Sequence, residues 1–389
     1  MKIIYVHRTQ AKGVEGVHIG EIAKAWRRRG HEVAIVSPVG EQLGEPETVA
    51  LHPSTFRQRL FRFISNHLPE LIFECIELAY NVLLIRQASK RGGAQADLIF
   101  ERYAIFGIAG ALLASRWHKP HIVEVNYTSC SALVRDRSRL LKPLARRLDK
   151  FVFSRATALV AVSTALKDHL VAEFAVPLSR IIVLPNAADP EVFDINKVLP
   201  PPRYSGVRGK IIGFVGGFYP WHGLDLLLQA FERIANRSPD ATLMLVGDGP
   251  MRPAIQSQCE ARGLGERVIL TGRVPHDELP GYISLFHIGV MPDSNDYGSP
   301  MKIFEYMSLG KPVVVPDYGP LLDAVEDRRE GRVFPARNIG ALADCLAALL
   351  ADDAEHARMS TNARKRILDK HNWLSNADAI LTMLPRGNE

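Results

Sequence analysis

Lys302 and Glu305 stand three residues apart in YGSPMKIFEYMSLGKPVVVPDYG, residues 297–319, a stretch that reads as a loop, one short helix and a strand. Ser299 is a good N-cap residue, and Pro300 suits the first helical position, where its missing N–H costs nothing. The spacing predicts a helix that opens at Pro300 and makes Lys302 its third residue. A capping box would place Glu or Gln there, and a cation opposes the positive end of the helix dipole by about 0.3–1 kcal/mol. A bound anion removes the conflict: free backbone N–H groups, the dipole and an ammonium together suit a phosphate. Glu305 falls on the same helix face, where a carboxylate can accept two hydrogen bonds from a vicinal diol such as ribose. A nucleoside diphosphate would satisfy both residues, and the plainer alternative is a surface ion pair worth about 0.3 kcal/mol.

Such a pair needs strands and helices to hold it. Short β-branched runs alternate with helical patterns along the whole chain: KIIYVH, EVAIVS, DLIFER, HIVEVN, ALVAVS and IIVLPN, then KIIGFVG, ATLMLVG, RVILTG, HIGVMP and PVVVPD. Continuous apolar strands separated by helices indicate parallel sheets covered on both faces, so each half reads as a doubly wound, Rossmann-like α/β domain. The proline-rich stretch 193–209 can be neither helix nor central strand. The expected division is an N-terminal domain over 1–195, a linker over 196–208, a C-terminal domain over 209–372, and a last helix over 373–389 that can cross back to the first domain. Residues 56–91 interrupt the rhythm with a mostly helical insertion, fit for packing or for an acceptor surface. Glycines recur where strands give way to helices: Gly13 and Gly16 after the first strand, Gly216, Gly217 and Gly223 after KIIGFV, and Gly247 before Asp248. Neither loop matches G-x-G-x-x-G or the Walker pattern, so recurrence at strand ends is the stronger signal.

The 389 residues exceed one small domain, and 47% hydrophobic with 23% charged content fits a globular chain with large cores. The net charge of +6 equals that of residues 135–155 alone, RDRSRLLKPLARRLDKFVFSR, with eight Lys or Arg against two Asp. Its leucines recur at helical spacing, so it reads either as an amphipathic basic helix facing anionic membrane or as a core helix with solvated arginines. The four cysteines are far apart and form no C-x-x-C, which argues against a disulfide scaffold or structural zinc and fits a reducing, cytoplasmic setting. No apolar run is long enough to span a bilayer, and the N-terminus reads as a first strand, not a signal.

Taken in order, VEGVHIGEIAKAWRRRGHEV, TALVAVSTALKDHL, VLPNAADPEVF, GFVGGFYPWHGLDLLLQAF, LMLVGDGPMRP, VILTGRVPHDELPGYISLFHIGVMP and FEYMSLGKPVV resemble the glycosyltransferases of the GT-B fold, and within it the retaining family four, the group 1 type. The resemblance covers nearly the whole chain. It implies two Rossmann-like domains facing across a cleft, a nucleotide-sugar donor held mainly by the second, and a glycan, lipid-linked or small-molecule acceptor on the first. It also implies no metal or other cofactor, in keeping with the missing D-x-D, and no nucleic-acid partner. Glu305 matches the glutamate that holds the donor ribose, and the backbone of Arg273 and Val274 matches the segment that reads the base edge. Gly217 and His222 stand where the family usually carries Arg and Lys for the diphosphate, which leaves that charge to Lys302. His222 is expected to stay neutral and still donate a hydrogen bond to phosphate. The residue eight before Glu305 is Tyr297, not the usual carboxylate, so Asp296 or Asp293 is offered for the sugar hydroxyls. Asn126 and Glu124 end a strand where relatives carry a histidine near the transferred sugar. Asn126 can orient hydroxyls, and Glu124 either activates the acceptor or pairs with Arg102. The expected catalytic set is Asn126, Glu124, His222 and Lys302, with Gly13, Gly16, Gly216, Gly217, His222, Gly247, Arg273, Val274, Asp296, Ser299, Lys302 and Glu305 binding the donor. The expected activity is retaining transfer of a sugar, in the cytoplasm or at the inner membrane face; a sugar-nucleotide epimerase, a phosphorylase or a non-catalytic binding protein on the same fold are the alternatives.

Overall fold

The structure is a computed structural model that describes residues 1–9, 13–38, 69–131, 140–204, 206–207, 209–235 and 237–385. Residues 135–139 of the basic stretch and residues 56–68 of the insertion lie outside the described residues.

The chain forms two compact units, Met1–Leu184 with Asn376–Glu389, and Pro185–Ser375. In the first, β1 (Lys2–Val6), α1 (Gly13–Arg28), β2 (Glu32–Val36), α2 (Glu70–Lys90), β3 (Leu98–Arg102), α3 (Ala109–Trp117), β4 (His121–Val125), α4 (Lys142–Arg155), β5 (Ala158–Ala161), α5 (Thr164–Phe174) and β6 (Ile181–Val183) follow one another. The strands pair in parallel in the order β2-β1-β3-β4-β5-β6. Ile3, Ile4, Tyr5 and Val6 are all buried, as an uninterrupted apolar strand with helices on both faces must be. Strand order reverses between β1 and β3, so the carboxyl ends of these strands form the unit's natural binding crevice.

The insertion helix α2 turns a polar side inward. Asn81 Oδ1 accepts the Ile108 and Ala109 N–H groups at 2.8 and 3.0 Å, capping α3, while Glu74 Oε2 accepts the Leu141 N–H at 3.0 Å where α4 begins. In α4 the alternatives left open by the sequence separate: Leu141, Leu144, Leu148 and Phe151 pack on the unit's core, and Arg146, Arg147 and Lys150 are exposed. These leucines are therefore not free to enter a membrane, although Leu140, just before them, is 60% exposed.

In the second unit, β7 (Lys210–Val215), α6 (Leu224–Ala235), β8 (Ala241–Val246), α7 (Arg252–Ala261), β9 (Val268–Gly272), α8 (Leu279–Ser284), β10 (Ile288–Val290), α9 (Met301–Ser308), β11 (Val313–Pro316), α10 (Gly319–Leu322), β12 (Gly331–Phe334), α11 (Ile339–Ala351) and α12 (Asp353–Asp369) repeat the rhythm. The parallel order is β12-β11-β10-β7-β8-β9, with its reversal between β7 and β10. Residues 185–195, assigned to the first domain from the sequence, belong here: Phe193 lies in the core, and the Ala188 N–H donates to the His371 carbonyl at 3.2 Å. The last helix, α13 (Trp373–Leu381), leads into the terminal segment of the first unit, where the Ala377 carbonyl accepts from the buried Trp26 indole at 3.0 Å.

Candidate active site

At the strand reversal of the second unit, the loop after β7 meets the start of α9. The helix opens one residue later than the sequence suggests, at Met301, with Pro300 as its cap and no side-chain capping bond. Lys302 is thus its second residue. Ser299 is drawn away from the cap: its Oγ accepts the Asn186 N–H at 3.0 Å, and its carbonyl accepts from the Asn186 amide at 2.5 Å.

Lys302 is not a surface residue. Its Nζ is buried, has no hydrogen-bond partner, and sits 4.3 Å above the Phe214 ring. Burial pulls its pKa down to about 7, against the opposing pull of Glu305. The ammonium reaches this place because Gly216 has no side chain: a Cβ there would lie 2.7 Å from Nζ, and the residue holds a φ of 148° that other residues rarely adopt. Gly247 packs against the same turn, where a Cβ would run into the Gly216 carbonyl, and its N–H donates to the Gly272 carbonyl at 3.0 Å. That contact leads into Arg273, which is exposed, and Val274, which packs on the core. Three residues beyond Arg273, His276 Nε2 donates to Glu305 Oε1 at 3.0 Å, which fixes the buried carboxylate in place. The Lys302–Glu305 surface pair is excluded by this burial.

His222 departs from its expected role. Its Nδ1 lies 2.5 Å from the Gly217 carbonyl, which can only accept, so Nδ1 carries the proton. Burial, with Lys302 adding to it, lowers the pKa to about 3, so the ring is neutral for these reasons rather than through a helix dipole. A neutral ring with its proton on Nδ1 presents a bare Nε2, which accepts from a hydroxyl and cannot donate to a phosphate. The two aspartates also differ from expectation. Asp293 is taken by the Tyr318 hydroxyl at 2.8 Å and Arg337 Nε at 3.3 Å, while Asp296 is exposed and makes no hydrogen bond to Lys302 or Glu305.

At the reversal of the first unit, Glu124 at the end of β4 is buried among donors. His18 Nε2 donates to Oε2 at 2.8 Å, Asn126 Nδ2 donates to Oε1 at 2.7 Å, and Arg102 Nη1 at the end of β3 donates to Oε1 as well. Burial alone would raise the carboxyl pKa, but His18, Arg102 and Asn126 outweigh it and hold the value at about 2. Such a carboxylate is a weak base, and of the two readings the sequence left open for Glu124 the geometry favours the pairing with Arg102. Asn126 is positioned by Glu124. Gly13, with φ 59°, and the buried Gly16 open the helix that delivers His18. His7, at the end of β1, keeps a buried Nε2 without a partner, and burial with Arg102 lowers its pKa to about 4.

His18, His7, His276 and Phe214 were not anticipated. His18 and Glu124 are 106 residues apart and His276 and Glu305 are 29 apart, so only pairing of strands reveals these contacts. A histidine in the first turns of a helix after a glycine loop, as in GVHIG, was the one local hint.

Two parallel sheets, each with polar side chains gathered at its reversal point, define a protein of two Rossmann-like domains. Residues 209–352 match the family described as Glycosyl transferases group 1, and residues 13–192 match Glycosyltransferase Family 4. The alpha-D-kanosaminyltransferase of Streptomyces kanamyceticus is 26% identical over 268 residues, 68% of each chain. The D-inositol 3-phosphate glycosyltransferase of Xylanimonas cellulosilytica is 26% identical over 380 residues, 90% of this chain and 87% of its own. Among solved structures, HepE of Anabaena in complex with UDP superposes with a TM-score of 0.73 at 19% identity, covering 98% of this chain and 99% of its own. The chain belongs to the group 1 glycosyltransferases of GT-B fold, of the family-four kind, and is an enzyme of the hexosyltransferase class. Its relatives are named as transferases, which does not favour an epimerase or a non-catalytic binder.

Proposed function

We propose that the second unit binds a nucleoside-diphosphate sugar, with the diphosphate at Lys302 and the ribose at Glu305, and that the enzyme transfers the sugar with retention to a glycan, lipid-linked or small-molecule acceptor. The observation that carries this reading is the Lys302 amine, buried and without a partner at the end of β7 and the start of α9. An isolated buried ammonium is costly, and an incoming diphosphate would supply the missing counter-charge. Glu305, held on one oxygen by His276, keeps the other for a ribose hydroxyl. As the glycosidic bond breaks, charge grows on the leaving diphosphate, where a fixed ammonium in a dry site stabilises the transition state more than the ground state. The bare Nε2 of His222 would accept a hydroxyl of the sugar. The same arrangement suits departure without a metal ion, so turnover should persist in EDTA; full loss that magnesium or manganese restores would count against this.

A peripheral contact with anionic membrane belongs to the same reading. The apolar part comes from exposed Leu140 with Leu71 and Ile72 of α2, 48% and 46% exposed, near the Glu74–Leu141 contact; the charge comes from Lys142, Arg146, Arg147 and Lys150. No described helix is long and apolar enough to cross a membrane.

A thermal-shift panel of UDP, GDP, ADP and their sugars tests the donor site. One diphosphate at about 100 times its Kd should stabilise the protein by about 2.7 kcal/mol. If none of them moves the transition, the proposal falls.

A further inference from the structure

The loop after β7 carries a second feature that the diphosphate reading does not use. Tyr219 and Trp221 stack face to face, ring centroids 4.6 Å apart and planes 6° from parallel. Both are open to solvent, Trp221 at 57% and Tyr219 at 40%, whereas Trp26 and Trp373 are buried. The pair is rigid. Pro220 starts a 3-10 turn that ends at His222, and Gly217 lies so close to the phenol that a Cβ there would approach it to 2.5 Å. Tyr219 covers one face of the indole while more than half of the Trp221 surface stays open, and the indole N–H makes no hydrogen bond to any described residue. The His222 ring is 6.2 Å from the indole and 6.3 Å from the phenol, and the Phe214 ring, 5.6 Å from His222, lies 4.3 Å below the Lys302 amine, so two rings link the stack to the buried amine.

A large aromatic surface left in water near a proposed donor site is well suited to cover a flat ligand. Sugar transfer brings a suitable one. One face of a pyranose presents C–H bonds, whose partial positive charge meets the negative face of an indole, while its hydroxyls remain at the rim in water or reach the indole N–H. We propose that Trp221, backed by Tyr219, is a stacking platform for a pyranose ring, either that of a glycoside acceptor or that of the transferred sugar. The proposal rests on the placement of the diphosphate at Lys302. It also gives the glycine at position 217 a reason: a longer residue there would displace the phenol that supports the indole.

Trp221 reports on its own cover, since acrylamide quenches an exposed indole and the variant Trp221→Ala identifies its share of the emission. The full chain is titrated with methyl glucopyranoside, methyl mannopyranoside and maltose, with acyclic sorbitol as the control, and separately with UDP, GDP, ADP and their glucose or mannose conjugates. At least one pyranoside should shield Trp221 while sorbitol does not, which assigns the platform to the acceptor. Shielding by a nucleotide sugar, but by neither its nucleotide nor a free glycoside, assigns it to the transferred sugar. Trp221→Ala should weaken that ligand tenfold or more and leave the thermal shift by the bare diphosphate unchanged, and Trp221→Phe should recover most of the loss. Shielding by a bare nucleotide as strong as by its sugar would place the base on the indole and overturn the proposal. So would the absence of shielding by every sugar. If pyranosides shield Trp221 but no diphosphate shifts the melting transition, the platform stands and the donor reading at Lys302 falls.

Discussion

The two reversal points make opposite use of buried charge. In the first unit, Glu124 is surrounded by three donors and its carboxyl pKa drops to about 2 in spite of burial. In the second, Lys302 has no donor or acceptor partner and its pKa drops to about 7 because of burial. Both groups depart from their ordinary values, yet only one is satisfied. A buried charge that the protein already pairs has its geometry fixed and little left to offer a ligand. A buried charge left unpaired is tolerated at a cost in stability, and that cost is what a ligand of opposite sign can relieve. The comparison therefore separates scaffold from binding site more sharply than either pKa alone.

Breaking the paired cluster should have the largest effect. Arg102→Met takes the guanidinium from the buried Glu124 and leaves it only His18 and Asn126 as partners; losing one member of a buried pair costs up to about 3–5 kcal/mol. Hydrogen exchange of the β3 and β4 amides, which follows the first unit without assuming that the whole chain unfolds together, should show the loss, and the double variant Arg102→Met with Glu124→Leu should regain part of it. Unchanged protection in Arg102→Met would mean that the cluster does not hold the strand ends.

The unpaired group should respond in the other direction. Lys302→Met removes a buried amine that bonds to nothing, so melting temperature should hold or rise, while affinity for the preferred nucleoside diphosphate should fall tenfold or more, as for a charge-assisted bond worth about 1.5–3 kcal/mol. Equal affinity in the variant would remove Lys302 from the site. Glu305→Gln should weaken the nucleotide less than this, since the amide retains one acceptor oxygen.

Acidity gives a further handle on the same amine. A diphosphate binds the protonated form, so affinity should be highest at and below pH 7 and decline by up to about tenfold per unit above it, until the pKa in the complex is reached. A terminal phosphate with a second pKa near 6 is already ionised across that range and does not confuse the trend. The stability of the free protein runs the opposite way. An unfolded lysine titrates near about 10.4, so between pH 7 and that value the unfolded chain holds more protons and stability rises with pH. Lys302→Met should flatten both profiles. A wild-type affinity that does not change from pH 7 to 9 would show that the bound anion is not read by this amine.

Most of the fold could be read from the chain because parallel strands buried on both faces must be continuous apolar runs, and KIIYV, HIVEV and VVVP leave no other assignment. The placement of Lys302 and Glu305 in one short helix, a cation at its start, was legible for the same local reason. What escaped was anything decided by a distant partner. Ser299 is a good cap in isolation, but Asn186, 113 residues away, takes its hydroxyl oxygen, and the helix starts at Met301 instead. His222 was expected to be neutral and to donate to a phosphate, but its N–H is taken by the Gly217 carbonyl, which is placed by a turn and not by a motif. The basic stretch could not be resolved from spacing, since leucines at helical intervals look alike whether they face a core or a bilayer.

That stretch yields the smallest expected effect. Leu141, Leu144 and Leu148 are committed to the core, so α4 cannot insert a leucine face, and attraction to a membrane must come from its exposed cations with a small apolar contribution from Leu140, Leu71 and Ile72. Each cation near an anionic surface contributes about 1 kcal/mol and is screened over a Debye length of roughly 8 Å at physiological salt. Binding to vesicles rich in anionic lipid should therefore be weak, readily measured at low salt, largely lost near 0.5 M salt (on the order of a 4 Å screening length), and absent on neutral vesicles. Replacing Arg146, Arg147 and Lys150 with Gln should remove most of it, and Leu140→Ser should remove less, in contrast to an inserted helix, for which the leucine would dominate and salt would matter little. Neither change touches Lys302 or Glu305, so the thermal shift by a nucleoside diphosphate should stay as it is. Flotation that leaves the wild-type protein behind at low salt would sink the membrane contact and favour an acceptor delivered in solution.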